Sequence, residues 1–463
     1  LPAVLTLVLA LAVSRGAGDD PDGVPAGTFP ITLETAIRLA DERNAQLAAQ
    51  LERETRAALA ADAAWLGWLP TVRAGASLLQ QDGALQDTLG RVADIRRDGR
   101  YLGFGGAVIG AGPPLLPGAT VEIDAARALF EPLAARQTAR AAGAASEATR
   151  ARVLLQVAVA YYELLRRHHA VTLTLEARRH AEDLASATGE FAASGEGLVA
   201  DAERAAVESL LLAEEVEAAR GDRAAAAAEL GRLLRLDESV RLEPADGVVL
   251  PIEGIGASRL SEEECIARAL VSRPEVREQE ALVEAARAAL KARTFGPLLP
   301  KLQAFYNYGD FEGGSPSVNG ERHDAGVAVY WQVRGLGLVD RNERRQQASR
   351  VRETELQGDQ IVSEIVAEVR RAHADLHAAL RRMSITTTAV ERARKAHLLN
   401  RDRIFQKEGL PLESLQAMQA LARAEQLHLR AITDHNLAQL RLLVATGGNP
   451  ADPSGAGDQP TEP

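Results

Sequence analysis

With a single cysteine, two methionines and an aromatic share of 4%, this 463-residue chain lacks three common ways of holding a fold together. Cys265 alone rules out a disulfide within the chain, and a lone cysteine on the apolar face of a helical pattern reads as a small core residue. Scarce aromatics with abundant alanine favour long, closely packed helices over an aromatic-rich core. There is also no uninterrupted apolar run of about 18 residues or more, so no transmembrane helix is expected, and a chain of this kind that crosses a bilayer does so with strands. Basic charge is in deficit, 53 Lys and Arg against 64 Asp and Glu, and no basic stripe offers a nucleic-acid footprint.

Catalytic patterns are equally thin. His373-Ala-Asp-Leu-His377 places two histidines at i and i+4, but alanine follows the first, so the glutamate of a zinc-protease motif is missing. His428 and His435, seven apart, read as helix-surface residues. The glycine-rich stretches at 103–112 and 335–337 neither lead from a strand into a helix with phosphate-binding spacing nor precede a suitably placed acid, so they read as loops. No Ser/His/Asp set follows from spacing. The expectation is no enzyme, no cofactor and no metal.

What is present is a long helical pattern interrupted twice by strict two-residue alternation. After Pro300, Leu302, Ala304, Tyr306 and Tyr308 fall on one face of an extended segment, and Lys301, Gln303 and Asn307 on the other. A loop is expected over 309–323, then a second strand in which Val327, Val329, Trp331 and Val333 alternate with Ala328, Tyr330, Gln332 and Arg334. Earlier, Pro70 opens the same pattern: Val72, Ala74, Ala76 and Leu78 share one face. Its partner strand is read at 119–128, through Val121 and Ile123, or nearer 101–111; the sequence leaves both open.

The helices on either side repeat as well. Thr32-Leu-Glu-Thr-Ala-Ile37, Ala40 and Asn44 align with Ser261-Glu-Glu-Glu-Cys-Ile266, Ala269 and Arg273 at an offset of 229. Ala417, Ala424, Ala431, Ala438 and Ala445 recur every seven residues. Shifted by 212, the same line is Ala205, Leu212, Ala219, Ala226 and Leu233, the period of a left-handed coiled coil with tight seams. The chain therefore reads as two half-chain repeats, 19–245 and 246–447, behind a residual signal peptide at 1–18 and ahead of a disordered tail at 448–463. Helix is expected over 31–68, 130–188, 199–236, about 341–405 and from 411 to 446, the halves being linked through a short extended segment at 248–252.

Four short strands cannot bury two faces alone and leave unpaired edges. In a bilayer only a closed barrel satisfies every backbone group, and single-chain bacterial barrels use at least about 8 strands, so a four-stranded chain closes only with copies of itself.

Nearly the whole chain resembles the TolC-like family of outer membrane efflux factors. The resemblance rests on the duplicated Thr32-Leu-Glu and Ile37-Arg-Leu-Ala opening, on Gly67-Trp-Leu-Pro70 and Leu298-Leu-Pro300, on Pro132, and on Gly409-Leu-Pro-Leu-Glu-Ser-Leu-Gln-Ala417 leading to Ala445-Thr-Gly447. It implies a mainly α fold with a small β part: long antiparallel coiled-coil helices plus four strands per protomer, trimerising into a β-barrel continued by an α-helical barrel through the periplasm. The chain departs from the pattern in the long stretch between its first two strands and in having no cysteine near the start for an N-terminal lipid. The implied function is an outer membrane exit duct of a tripartite efflux or type I secretion system, with outer membrane lipid, a periplasmic adaptor and an inner-membrane pump as partners. A secreted coiled-coil scaffold without a pore is the alternative from composition alone.

Three groups of residues follow as candidate sites. Val72, Leu78, Val121, Ile123, Val327, Val329 and Val333 are expected to face lipid. The equivalent turns Gly197-Leu198 and Gly409-Leu410-Pro411 put an apolar residue where paired helices reverse, the place where the resemblance puts adaptor docking. Asp201 and Glu413, each four residues after the turn glycine, are candidates for charge at a periplasmic aperture, with simple complementation of the helix N-terminus as the other reading.

Overall fold

The computed structural model describes residues 28–73, 75–86, 89–104, 120–237, 239–247, 249–252, 254, 256–313, 318–406 and 410–452. The expected signal peptide, the 105–119 part of the uncertain second strand, Gly409 and the last 11 residues of the expected tail lie outside these residues.

The first half begins with strand β1 (Thr28–Ile31), followed by helices α1 (Leu33–Arg43) and α2 (Ala45–Trp65). One continuous helix was expected over 31–68. The chain breaks instead at Asn44, which leaves helical angles and accepts hydrogen bonds from the N–H groups of Gln46 and Leu47 to start a new helix. After the strands come α3 (Ala125–Ala193) and α4 (Val199–Leu234). The second half has the same plan: α5 (Glu262–Ser272), opened by a Ser261/Glu264 capping box, then α6 (Pro274–Phe295), α7 (Leu338–Phe405) and α8 (Pro411–Ala445). At about 1.5 Å per residue, α3 and α7 are each about 100 Å long.

Such helices are stable only when packed along their length. α3 pairs with α4 and α7 with α8, and α3 also packs on α6 and α8. The seven-residue alanine line sits in these seams, with Ala417, Ala424, Ala431, Ala438 and Ala445 all buried. Three clusters form the core. One joins α1 to Leu154, Tyr161 and Leu234; its counterpart joins α5 to Val369, Leu376 and Leu442; a third, near the helix reversals, includes Leu184, Leu212, Ile404 and Met418. Cys265 is buried in the second.

Between the halves, β6 (Arg241–Pro244) pairs in parallel with β1. Both strands fell outside the sequence expectation, which put extended structure between the halves only later, at 248–252. Residues 249–252 are held by α8 instead: Asn436 donates to the Leu250 carbonyl and accepts from the Ile252 N–H, and Gln439 donates to the Ile252 carbonyl. Residues 448–452, expected to be disordered, form hydrogen-bonded turns that begin where the Gly448 N–H bonds back to Leu443.

The larger sheet is antiparallel. Its strands are β2 (Thr71–Arg73), β3 (Gly75–Gln86), β4 (Val92–Phe104), β5 (Thr120–Asp124), β7 (Lys301–Gly313) and β8 (Val318–Tyr330). β5 pairs with the lower part of β7 and β4 with its upper part, while β2 pairs with β5 and β3 with β4. The sheet is therefore four strands wide, and the uncertain second strand is made of both 92–104 and 120–124. Residues 125–128, expected as strand, open α3 because Asp124 caps the Ala126 and Arg127 N–H groups. In the second half the strands extend well into the expected loop at 309–323.

Candidate membrane-spanning sheet and helical tips

Register decides which side chains share a face. Val72 lies opposite Val121, Val121 opposite Ala304, and Ala304 opposite Val327, one apolar row across the sheet. The next row is Ile123, Leu302 and Val329. Leu78 is on the same face but further along, in a row with Arg100, Asp310 and Glu321, where the face turns charged. Val333 does not lie in a strand. β8 ends at Tyr330 opposite Lys301, because the next position across is Pro300, which has no N–H to give a ladder. Val333 is still extended and exposed, ahead of a turn in which Gly335, Leu336 and Gly337 all have positive φ.

The apolar rows have aromatic borders. Tyr306 and Tyr308 sit beside His323 at one end, the Tyr306 hydroxyl 2.7 Å from His323 Nδ1. Trp331, whose Nε1 donates to the Leu298 carbonyl at 3.2 Å, lies at the other, as do exposed Trp65 and Trp68. Eight residues separate Trp331 from His323 along the chain, about 27 Å of strand. The opposite face is polar: Lys301 pairs with Asp124 at 3.0 Å, Arg73 with Glu122 at 3.6 Å, and Ala328 and Gln303 lie across from each other. One apolar and one polar face, with aromatics at the borders of an apolar band about 25 Å tall, is what a water-filled barrel wall needs. Among the described residues β8 has only β7 beside it and β2 and β3 have no further neighbour, so both sheet edges are open.

At the far end of the helices the two reversals match. Leu198 caps α4 with φ −84° and ψ 132°, and Leu410 caps α8 with φ −87° and ψ 131°, at the same offset of 212 as the alanine line. Neither leucine folds back on its own helix: Leu198 is 69% and Leu410 63% exposed. Pro411 takes the first helical position. The residue in left-handed conformation at the first reversal is Gly195, not Gly197. Gly197 is confined for another reason, since a Cβ there would lie 3.0 Å from the Phe191 Cβ and 3.2 Å from the Ala192 nitrogen. Asp201 and Glu413 both lie in the first turn of their helices, each with a neighbouring guanidinium, Arg204 at 3.5 Å and Arg403 at 3.0 Å.

The histidines are less superficial than their spacing suggests. His377 is exposed and His373 half-buried, with Nε2 atoms 3.3 Å apart, and among the described residues no group of three His, Cys, Asp or Glu side chains could hold a metal. His435 is buried, its Nε2 2.8 Å from Gln439 beside the linker, which corrects the reading of it as a surface residue; burial pushes its pKa down. Sequence reasoning missed Asn436 and Gln439, the two side chains that fasten the linker, because a polar residue in a heptad looks like any solvated one. Tyr161 is a further such residue, its hydroxyl donating to Asp246.

Comparison with known proteins places this geometry. No family model matches the chain, and no curated protein matches its sequence. Solved structures do. The outer-membrane channel OprN superposes with a TM-score of 0.71 at 19% identity over 90% of each chain. The chain has the fold of the TolC-like outer-membrane channels. The Campylobacter jejuni CmeC outer membrane channel matches with a TM-score of 0.74 at 15% identity, over 90% of this chain and 85% of that one. The Vibrio cholerae outer membrane protein VceC gives 0.71 at 16%, over 90% and 96%.

Proposed function

We propose that this TolC-like chain is one protomer of an outer-membrane exit duct, a passive conduit and not an enzyme, whose helical part extends into the periplasm. The observation that carries the reading is the four-stranded sheet with one apolar face, one polar face and two open edges. Such a sheet is unsatisfied in lipid until its edges pair, and copies of the same chain supply the matching edges. Three copies give twelve strands, within the range of outer-membrane barrels. No helix among the described residues is long and apolar enough to cross a membrane; in this reading the membrane-spanning element is the sheet, with its apolar face to lipid. The helices continue the barrel as a tunnel, and the exposed leucine tips Leu198 and Leu410 meet a periplasmic adaptor that connects to an inner-membrane pump. A coiled-coil scaffold without a pore has no use for the apolar rows Val72–Val121–Ala304–Val327 and Ile123–Leu302–Val329.

Cell fractionation of the expressed chain, followed by cross-linking in detergent, tests the reading. The expected result is a trimer extracted only by detergent from the outer membrane. A monomer recovered in the soluble fraction overturns it.

A further inference from the structure

Close to the tips the two halves meet on a pair of histidines. His180 on α3 and His397 on α7 have ring centroids 4.8 Å apart with planes at 39°. His397 is only 5% exposed, and neither of its ring nitrogens has a hydrogen-bond partner. The pair lies between two small cavities of about 210 and 230 Å³. The walls of the first are largely apolar, with Leu184 and Ala187 from α3, Ile404 from α7 and Met418 from α8. A buried polar ring with both nitrogens unpaired is unfavourable, and an aliphatic side chain would fill the same space without that loss. Packing therefore gives no reason for histidine at 397. A metal gives none either, since among the described residues no three His, Cys, Asp or Glu side chains are arranged to hold one. The ligand that two neighbouring imidazoles can still take is a proton.

We propose that His180 and His397 form a proton-sensitive clasp: neutral, the rings pack and hold the α3/α4 hairpin against the α7/α8 hairpin; protonated, they drive the two tips apart. The charged groups around the pair are of both signs, and of the carboxylates only Glu425 acts to favour a protonated His397. From α3 come Glu176 and Asp183, from α7 Arg394 and Arg401, and from α8 Glu425. Glu425 is already paired with Arg394 at 2.8 Å, and Arg401 adds positive charge beside the rings. Burial first, then His180 and Arg401, push the His397 pKa below its usual 6.5, with Glu425 acting weakly the other way. His397 binds a proton more readily once separated and hydrated than when packed. The contribution of the clasp is therefore complete above about pH 6.5 and is lost as the pH falls through the depressed value of His397. The clasp belongs to the protomer and stands without the duct reading; only its consequence, a wider periplasmic end in acid, rests on that reading.

The test is a distance between the tips. Leu198→Cys and Leu410→Cys, in a Cys265→Ala background, carry spin labels, and labelled chains are diluted into unlabelled ones so that only distances within one chain are read. Pulsed electron paramagnetic resonance at pH 7.5 and 5.5 is expected to show a shift of several ångströms to longer distance in acid. His397→Leu is expected to abolish the shift, and His180→Gln to reduce it. Changing the separate pair His373 and His377 to alanine is expected to leave it intact. His180→Gln serves as the deciding variant where His397→Leu does not assemble. An unchanged distance in acid, or a shift of the same size in the His180 and His397 variants, overturns the proposal, and neither outcome bears on whether the chain forms a pore.

Discussion

Asn44 and Arg273, 229 positions apart, occupy the same backbone conformation, φ −65° and ψ 127° at one and φ −68° and ψ 131° at the other, and each ends one helix and starts the next. The half-chain duplication is thus preserved to the angle of a single hinge, although the side chains solve the hinge differently. Asn44 caps α2 with its carboxamide oxygen and donates its Nδ2 to the Leu233 carbonyl at 2.9 Å. Arg273 makes no side-chain cap. Its buried guanidinium binds Glu275 at 2.8 Å and also Glu368 on α7, and Pro274 begins the helix without needing a capped N–H.

The two hinges should therefore fail differently. Asn44→Ala removes a cap and one buried hydrogen bond and is expected to cost about 1 to 2 kcal/mol. Arg273→Ala leaves Glu275 largely buried without its partner and is expected to cost more, about 3 kcal/mol. Loss of Arg273 also removes what holds the Glu275 carboxyl below its usual pKa against the opposing effect of burial. Denaturant unfolding of both variants checks the order, and a larger loss for Asn44→Ala than for Arg273→Ala would show that the hinge chemistry is misassigned.

Much of this was readable from spacing. The alternation at Leu302, Ala304, Tyr306 and at Val327, Val329 identified the strand face, and the alanine heptads identified the seams, because both patterns are periodic in the chain itself. The ends of elements were less readable. Asn44 looked like one more helical residue, and the strand at β4 was hidden by Asp94, Arg96, Asp98 and Arg100, charges that a strand tolerates where its face has left the apolar band. The pairing of β1 with β6 was invisible for a different reason: it joins residues more than 200 apart through four-residue strands too short to carry a period.

The facing of the sheet gives the next expectation. Val329 lies on the apolar face opposite Leu302, whereas Ala328 lies opposite Gln303 on the polar one. Arginine at Val329 should destabilise the barrel by about 2 to 4 kcal/mol if the position is near mid-bilayer, and arginine at Ala328 by much less. Heat-resistance of the oligomer in detergent measures both, and equal loss in the two variants would mean that the faces are reversed or that the sheet does not meet lipid.

At the tip, Arg403 lies 3.0 Å from Glu413, so the carboxylate proposed for a periplasmic aperture is compensated within its own protomer. Both partners are well exposed, and Glu413→Gln should change stability by less than about 1 kcal/mol. Its effect on ions should be larger. Removing the Glu413 carboxylate takes one negative charge per protomer from the narrow end and shifts it away from cation preference. Single-channel recording reads this directly; unchanged conductance and ion preference would leave Glu413 only the role of complementing the N-terminus of α8.

Leu198 and Leu410 provide the remaining expectation. Both hold extended backbone at the start of a helix, both project where a hairpin reverses, and both stay mostly exposed although the seams beside them are closed. Burying a leucine on its own helix would have been easy at such a turn, since a residue in the helical termini needs only a neighbour one turn on to form a staple. That neither does so is the reason to expect a partner, and a helical hairpin laying apolar side chains between the tips fits two leucines at equivalent positions. Changing both to aspartate should leave the trimer and its sheet intact, because neither residue belongs to a core cluster. Adaptor capture by the purified trimer and export in cells should both be lost. Normal export by the double variant, or collapse of the trimer itself, would show that the leucines serve the protomers' own assembly and not a docking partner.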